Sequence, residues 1–495
     1  MINGLLEKRS VTMKRLALTL PFAALMLNPA AVGAEDAAPD DGTRWWGHVQ
    51  VLAGDDMEGR GTGTPGYDRA ADYVIGAFQS LALKPMGTDG YKQPVAFVEQ
   101  IIRSDSSSAV LLGSGGESPL SVPGDLIFSG GGGPVPERID ASMVFAGYGL
   151  HLPEEGHDDF AGLDLQGKVV VVVSGGPATI SGALKSHARS ERAQYLASKG
   201  AVGLISLVTP RQVEIPWKRR VDLAGAPSLY YADAALRESD RPFLNAQLDP
   251  ARSPLLFDGS GHDFATIAAA ADASAPIAGF PLAQRLSARV AATRRNLSSP
   301  HLIAVMPGSD PNLRDEYVVL SAHLDGYGIG TPVKGDGIYN GAFDNASGVA
   351  SLLEIGRALK AGKVKPKRSI LFAIVTAEEK GLLGSRYFAR RPTVPATAMV
   401  ADLNFDMALP IFPLTSVTPI GYDQSSLGQD AAAVRGRTTA ARGDERRHQA
   451  ARDCSAADAS ARAVENERTR CWPWVVGRRE VQTGEERGEE KKEKE

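Results

Sequence analysis

From about residue 299 to residue 404 the chain alternates short apolar runs with segments of helical spacing, and this alternation is the strongest constraint on its fold. The runs that predict strands are 302–306, 317–321, 369–376 and 398–403. The segments that predict helices are 348–361 and 384–389. Strands that alternate with helices indicate an α/β fold with a mostly parallel mixed sheet flanked by helices. Ligands bind such sheets at the carboxyl ends of the strands.

Acidic and histidine residues cluster where these strands are predicted to end. The clustered residues are His323 with Asp325, Asp344, Glu378 with Glu379, and Asp406. Taken alone, each cluster is explained as a solvated loop or a helix cap. Two adjacent carboxylates at the end of a buried strand are nevertheless costly unless a cation or a proton compensates their charge. Four such clusters in order therefore predict a functional site at this edge of the sheet.

Upstream of this region the pattern differs. Helical spacing at 45–52 and 67–83, on either side of the turn-rich segment 58–66, predicts two helices joined by an ordered loop. Short β-type runs broken by Gly and Pro follow, and the most apolar of them, 168–173, predicts a strand covered on both faces. We also predict a helix at 192–199 and a strand at 202–207.

These changes of pattern predict the domain organisation. The predicted parts are an N-terminal part of the catalytic domain at 35–110, a β-rich insert at 111–275 and a catalytic, metal-binding core at 276–430. The leader 1–34 and the tail 431–495 lie outside the folded parts.

The order of the acidic motifs resembles that of the M28 family of zinc metallopeptidases, specifically its aminopeptidases. The motifs that carry the resemblance are His323-x-Asp325, Asp344-Asn345, Glu378-Glu379 and Asn404-x-Asp406, with Gly59-Arg60-Gly61-Thr62 upstream. The resemblance covers about residues 40–430. In addition, the segment 145–149, followed by 164–168, resembles the protease-associated (PA) domain, a small β-rich insert found in several M28 peptidases.

The resemblance implies a site with two zinc ions and peptides as substrates. In that site Asp344 bridges both ions, His323 and Asp406 complete the coordination of one, and Glu379 binds the other. Nitrogen and oxygen ligands without thiolate suit zinc or a similar hydrolytic divalent ion. Gly326 stands where the family often has a second histidine after the His-x-Asp motif.

Two more acidic residues have implied catalytic roles beside the metal. Asp325 would hold the imidazole of His323 in its metal-binding orientation. Glu378 would be the general base that takes a proton from the water attacking the scissile carbonyl. We also expect Glu378 and Glu379 to point to opposite sides of an extended backbone, so that they do not bind the same ion.

The N-terminus has the pattern of a secretory signal peptide. Lys14 and Arg15 precede the apolar run 16–27, and the small residues Val32-Gly33-Ala34 form a cleavage site. The run has about 12 residues, whereas a membrane-spanning helix needs roughly 20. We therefore predict residues 1–34 to be a signal peptide, with Met13 as an alternative start. The mature chain is expected in the periplasm or outside the cell, without an integral membrane segment.

Charge and cysteine content argue against other classes of protein. The formal net charge is only −4, which gives no basic character of the kind that nucleic acids or anionic membranes attract. The chain has 2 cysteines, Cys454 and Cys471, and both lie in the tail, so the body of the fold does not depend on a disulfide.

The C-terminal tail departs from the family pattern. After Leu427 the chain has no Leu, Ile, Phe, Met or Tyr, so it cannot bury enough apolar surface to order itself. We interpret residues 431–495 as a disordered tail or as the product of a frameshift near residue 430. The family places a final histidine ligand in this region. The only histidine after Asp406 is His448, whose arginine neighbours disfavour another cation, so the loss of that ligand could leave the enzyme inactive.

Three other functions stay open at this point. A glutaminyl cyclase would use the same fold with one zinc ion, although His323 and Asp406 together argue for more ligands than it needs. A non-catalytic binding protein on a degenerate peptidase fold would bind no zinc. A carboxypeptidase acting on acidic peptides would need a cationic pocket, which the sequence does not locate.

Overall fold

Residues 40–407, apart from 238, 240 and 364, together with residues 426–429 and 432, are described by the computed structural model of the chain. Its helices are α1 (Asp41–Leu52), α2 (Pro65–Ser80), α3 (Gly182–Ser198), α4 (Trp217–Asp222), α5 (Phe264–Asp272), α6 (Ser347–Ala361) and α7 (Leu383–Arg390). The first ten strands are β1 (Lys84–Pro85), β2 (Lys92–Ile102), β3 (Ser108–Gly113), β4 (Gly116–Leu120), β5 (Leu126–Ser129), β6 (Arg138–Phe145), β7 (His151–Leu152), β8 (His157–Asp158), β9 (Val169–Val173) and β10 (Gly203–Leu207). The others are β11 (Ser228–Tyr231), β12 (Leu244–Leu248), β13 (Phe280–Arg289), β14 (Ala292–Met306), β15 (Tyr317–His323), β16 (Gly328–Val333), β17 (Asp336–Tyr339), β18 (Ser369–Val375) and β19 (Met399–Asn404).

One sheet carries the candidate functional residues, and we call it the site sheet. Its 7 strands run in the order β11-β2-β14-β18-β15-β19, with β1 beside β14. The parallel pairings of this sheet are those of β15, with β18 on one side and β19 on the other. The remaining pairings, β11 with β2, β2 with β14, β14 with β18 and β1 with β14, are antiparallel. The α/β fold with a mixed sheet is therefore confirmed, but its parallel part is smaller than we predicted, because the long ribbon of β2 and β14 is antiparallel.

Helices cover both faces of the site sheet. The apolar faces of α1, α2 and α6 pack against Leu302 and Phe372 on one face. On the other face, Phe388 of α7 packs against Ile303 and Leu371. Adjacent residues of one strand thus enter different cores, as strand geometry requires. This two-sided burial explains why β18 is apolar throughout.

Helix α2 shows how local sequence sets an element boundary near the site. The side chain of Thr64 accepts a hydrogen bond from the backbone N–H of Tyr67, and Pro65 occupies the first turn, where no N–H is needed. Buried Tyr67, Val74 and Phe78 then form the core-facing stripe. The helix that we predicted at 67–83 is therefore present, but it starts two residues earlier and ends three residues earlier than predicted.

A second sheet, which we call the insert sheet, has 8 strands in the order β4-β3-β13-β6-β9-β10-β12-β5. At its centre is β9, whose five valines are all buried between two parallel neighbours, β6 and β10. Helix α3 is longer than predicted because it begins at Gly182, ten residues before the predicted start, with Ser181 as its N-cap.

The predicted boundaries of the insert, 111–275, need two corrections. Strand β13 lies beyond residue 275 but pairs with β3 and β6 of the insert sheet, because its alternate residues are buried against that core. Strand β11 lies inside the predicted range but pairs with β2 of the site sheet. In the described chain, therefore, the strands of the insert sheet span β3 to β13, and β11 returns to the site sheet.

Some predictions fall outside the described residues. These are the leader 1–34, His448, and both cysteines, Cys454 and Cys471. None of the helices in the described part of the chain has the length and apolar character that a membrane crossing requires.

Candidate metal centre

The carboxyl ends of three neighbouring strands bring the predicted site residues together. Strand β15 ends at His323, β18 ends three residues before Glu378, and β19 ends two residues before Asp406. Because these three strands are parallel, their carboxyl ends lie at the same edge of the site sheet. The loop that enters α6 adds Asp344 to this edge.

The imidazole of His323 lies at the centre of the cluster. Its Nε2 atom is 3.1 Å from Asp344 Oδ1, 3.7 Å from Asp406 Oδ1 and 3.9 Å from Glu378 Oε2. One ligand atom from each of His323, Asp344 and Asp406 can be chosen so that all lie within 4.8 Å of one another. The side chain of His323 is only 3% exposed, so its approach to these acids takes place largely out of water.

The donor set has the chemistry that a zinc ion requires. Three buried atoms, His323 Nε2, Glu379 Oε1 and Asp406 Oδ1, make no hydrogen bond within the described structure. Although Nε2 comes close to Asp344, the geometry of that contact is not that of a hydrogen bond. Buried polar atoms without partners are rare and unfavourable, and a divalent cation would satisfy nitrogen and carboxylate oxygen together. The residues present therefore fit a metal ion.

The pKa shifts of the clustered residues also favour a bound cation. Burial raises the pKa of Glu378 to about 7, and the carboxylates around it add to this rise while His323 opposes it. Burial and the neighbouring Asp344 raise the pKa of Glu379 to about 8. For His323, burial lowers the pKa, but Asp344, Asp406 and the other acids outweigh it and raise the pKa well above its usual value. Without a cation, the cluster thus retains protons, and a metal ion would displace them.

The carboxylate of Asp325 has a different role from the one we predicted. His323 Nδ1 lies 3.0 Å from the backbone oxygen of Asp325, whereas the Asp325 carboxylate is 3.9 Å away. Instead, this fully buried carboxylate accepts hydrogen bonds from the backbone N–H groups of Glu378 and Glu379 and from the hydroxyl of Thr62. The main chain of Asp325 therefore orients the imidazole, and its side chain holds the two glutamates.

Glu378 and Glu379 lie in a turn, which corrects our expectation of an extended pair. Strand β18 has ended at Val375, and Ala377 has a left-handed φ of 58°. The carbonyl of Glu378 accepts hydrogen bonds from the backbone N–H groups of Gly381 and Leu382, which closes the turn. At the rim of the site, burial and the Glu379 carboxylate, to which its hydroxyl is hydrogen-bonded, raise the pKa of Tyr327 above its ordinary value.

Asn345 is a residue whose role sequence reasoning missed, although it is part of the quoted Asp344-Asn345 motif. Its side-chain oxygen accepts hydrogen bonds from the N–H groups of Gly348 and Met407, and its amide donates to the backbone oxygen of Phe405. Asn345 therefore satisfies a first-turn N–H of α6 and ties the entry loop to the segment around Asp406. The neighbouring carboxylate of Asp344 is not used for these hydrogen bonds.

Gly326 is explained by close backbone packing. A Cβ at this position would lie 2.8 Å from the backbone oxygen of Gly59. The N–H of Gly326 also donates to the oxygen of Arg60, and Gly61 and Gly326 form an isolated parallel bridge. The segment around Arg60 thus occupies the space that a histidine at position 326 would need.

Comparison with protein families identifies the region that contains this site. Residues 301–458 match the model of Peptidase family M28. The matched range includes His323, Asp344, Glu378 and Asp406, and it extends past residue 430 to include His448.

Curated proteins show similarity over a shorter part of the chain. The leupeptin-inactivating enzyme 1 of Streptomyces exfoliatus is 33% identical over 108 residues, which are 22% of this chain and 22% of that protein. Leucine aminopeptidase 1 of Trichophyton rubrum is 36% identical over 129 residues, which are 25% of this chain and 33% of that protein. In each case, the similarity spans a third or less of the relative's length.

Among solved structures, an aminopeptidase from Aneurinibacillus sp. strain AM-1 has 20% sequence identity and a TM-score of 0.41, covering 74% of this chain and 70% of that chain. A Peptidase M28 precursor from Shewanella amazonensis has 20% identity and a TM-score of 0.36, with 71% of each chain covered.

Proposed function

Since the chain belongs to Peptidase family M28 through residues 301–458, we propose that it is an exported zinc exopeptidase that removes N-terminal residues from peptides. The observation that carries this proposal is the convergence of buried, unpartnered atoms of His323, Glu379 and Asp406 at the ends of parallel strands. The similarity to leucine aminopeptidase 1 of Trichophyton rubrum supports the same reaction class.

Four residues would hold the metal ions. His323 and Asp406 would bind one zinc, Glu379 would bind a second, and Asp344 would bridge them. When bound, zinc supplies a Lewis acid for the scissile carbonyl and makes the attacking water more acidic. Three of these side chains are mostly buried, which keeps bulk water from competing for the ligands.

Glu378 would act as the general base. Its carboxylate lies 3.9 Å from His323 Nε2, and its backbone is fixed by the hydrogen bond to Asp325. A carboxylate held beside the metal ligands can accept a proton from the attacking water. Glu378 would take the proton from water as the new C–O bond forms. It would then deliver that proton to the amine as the C–N bond breaks.

We infer three further properties of the whole chain. The insert sheet corresponds to the PA-type insert, and cleavage after residue 34 releases the mature chain to the periplasm or the medium. His448, flanked by Arg446 and Arg447, would not serve as a ligand, so the protein would offer fewer ligands to a zinc ion at Glu379 than to one at His323, and the ion at Glu379 would bind more weakly. Incomplete ligation would lower activity relative to a full site.

The experiment combines metal content with peptide hydrolysis on the mature chain purified from the periplasm or medium. The chain should begin near Glu35, bind zinc, and hydrolyse an aminoacyl chromogenic substrate. Glu378→Gln should retain zinc while losing roughly 10²- to 10⁴-fold in kcat, because only the proton acceptor is removed. His323→Asn should lose both zinc and activity.

Glu316→Gln is the matched control, since Glu316 is partly exposed and paired with Arg368 away from the site. It should retain wild-type zinc content and rate. A folded wild-type chain that binds no zinc and hydrolyses nothing would support the non-catalytic binding protein instead, and cyclisation of N-terminal glutamine with one zinc would support the cyclase. A Glu378→Gln rate equal to wild type would contradict the assigned base.

A further inference from the structure

Arg60 is the largest fully buried side chain in the described part of the chain, and it is hydrogen-bonded to backbone next to His323 and just before the loop of Asp344. Its exposed fraction is 0%. Its backbone is left-handed, with φ at 52°, and so is that of the two preceding residues, Glu58 and Gly59. A non-glycine side chain held in this conformation at a buried position indicates a specific constraint.

The guanidinium donates four hydrogen bonds to backbone oxygens of three different segments. Nε donates to Leu324 at 2.8 Å, and Nη1 also donates to Leu52, the last residue of α1. Nη1 and Nη2 donate to Asn340 at 2.7 Å and to Gly341 at 2.8 Å. Leu324 lies between His323 and Asp325, whereas Asn340 and Gly341 directly precede the loop of Asp344. A single side chain thus links, through hydrogen bonds, the backbone next to His323 and the backbone just before the loop of Asp344.

The surrounding backbone leaves little room for another arrangement. Gly341 is left-handed, and a Cβ there would lie 2.7 Å from Arg60 Nη2. The backbone oxygen of Arg60 meanwhile accepts from the N–H of Gly326. The arginine is therefore fixed at its main chain as well as at its guanidinium.

The charge of Arg60 also suits the site. Burial lowers the pKa of Arg60 to about 10, and Asp325, Asp344 and Glu379 oppose that effect. The guanidinium is therefore charged at neutral pH. It offsets part of the negative charge of the acidic cluster without occupying the place of the metal ligands.

We propose that Arg60 is a positioning residue of the metal centre, which sets the separation of the loop carrying His323 from the loop carrying Asp344. This inference rests on the proposed zinc site. Geometry rather than charge alone is decisive, because a planar guanidinium can reach acceptors on two sides while a lysine ammonium donates from one atom. Arg60→Lys therefore retains the charge but cannot maintain both connections.

The test compares Arg60→Lys with Arg192→Lys in the full mature chain. Arg192 is a matched control, since it is also buried and donates from Nε to a backbone oxygen, that of Gly149, but it lies in the insert. Zinc affinity is measured by competition with a chromogenic chelator, and unfolding by urea titration of the metal-free chains. Arg60→Lys should lower zinc affinity roughly 10- to 100-fold, whereas Arg192→Lys should leave it unchanged.

A second readout does not depend on zinc. In the metal-free chain, amide hydrogen exchange should increase at residues 323–326 and 340–345 in Arg60→Lys, and should not increase there in Arg192→Lys. If wild type binds no zinc, the proposed function fails, while this exchange pattern still tests the connection made by Arg60.

Three outcomes would overturn the inference. The first is wild-type zinc affinity and exchange in Arg60→Lys, and the second is an equal loss of affinity in both variants, which would reflect general destabilisation. The third concerns folding: if neither Arg60→Lys nor Arg60→Gln, which buries no unpaired ammonium, yields a folded chain, Arg60 supports the core as a whole rather than the site.

Discussion

Strands β18 and β9 are the most completely buried strands of their respective sheets, yet only one leads into a site. All seven residues of β18, Ser369–Val375, are buried, and so are all five valines of β9, Val169–Val173. Each strand has a neighbour on both sides, including at least one parallel neighbour. The two strands are therefore alike in burial and in having a parallel neighbour.

The residues that follow the two strands differ. Beyond β18 the chain turns at Glu378 and Glu379, and β19, the other parallel neighbour of β15, leads to Asp406. Beyond β9 it continues into Ser174, Gly175 and Gly176, and the N–H of Ser174 simply donates to the backbone of Leu207. The carboxyl ends of parallel strands therefore determine where a site can form, and the acidic residues that follow those strands provide its metal-binding groups. The comparison can be tested because the two sheets have separate cores.

The largest expected effect comes from matched cavities in the two sheets. Leu371→Ala in β18 and Leu207→Ala in β10 each remove a leucine that is 0% exposed, so each should lower the free energy of unfolding by about 2–5 kcal/mol. Only Leu371→Ala should also weaken zinc binding, because its strand leads to Glu378 and Glu379. Urea titration and chelator competition measure the two effects separately. Equal loss of zinc affinity in both variants would contradict the division between the sheets.

A smaller effect is expected from replacing a carboxylate that accepts backbone hydrogen bonds, first beside the candidate metal centre and then in the insert. Asp325→Asn should lower kcat/KM roughly 10- to 100-fold, since an amide cannot accept from Glu378, Glu379 and Thr62 as a carboxylate does. The ratio corresponds to about 1.4–2.7 kcal/mol.

The counterpart in the insert is Asp159, whose carboxylate accepts from the N–H of Leu150 and contacts His157. Asp159→Asn should affect the stability of the insert and leave kcat/KM at the wild-type value. A reduced rate in Asp159→Asn, measured at equal folded fraction, would mean that the insert contributes to catalysis directly.

The sequence was sufficient to predict the edge of the sheet at which the acids meet. Apolar runs followed by His323, Glu378 and Asp406 fix the strand ends, and parallel pairing around β15 brings these ends together. Local signals such as the Thr64 cap also set helix starts within a few residues. These features depend on short-range sequence, which is why the pattern reveals them.

Other features depend on contacts between distant segments and left little signal. The return of β11 to the site sheet depends on pairing with β2, more than a hundred residues earlier. The Asp325 carboxylate can accept the hydrogen bond of the Glu378 N–H because the chain turns at Ala377. No simple sequence motif predicts the left-handed backbone of Ala377. The role of Arg60 depends on four backbone oxygens that come together only in the folded chain.

The replacement of His301 has the smallest expected effect. It tests a difference in how the backbone N–H groups that follow β18 and β9 are satisfied. In the insert, the N–H after β9 is satisfied by backbone, but the N–H of Thr376 after β18 donates to His301 Nδ1 at 3.1 Å. Burial lowers the pKa of this fully buried imidazole to about 3, so the folded chain requires the neutral ring. Its contribution to stability is present above the unfolded pKa of about 6.5 and is lost as pH falls towards the folded value.

From about pH 7 to about pH 5.5 the wild-type chain should lose about 1 kcal/mol of unfolding free energy through this group, because the unfolded histidine gains a proton that the folded one cannot. His301→Asn keeps an acceptor for the Thr376 N–H and removes the titration, so its stability should change less over the same pH range. His262→Asn, at an exposed position in the insert, should retain the wild-type pH dependence. Urea titrations of the three metal-free chains at both pH values measure the difference. Equal pH dependence in wild type and His301→Asn would mean that the folded chain accommodates a protonated His301 ring beside the end of β18. In that case the acidic residues after β18 would be the remaining difference between the ends of β18 and β9.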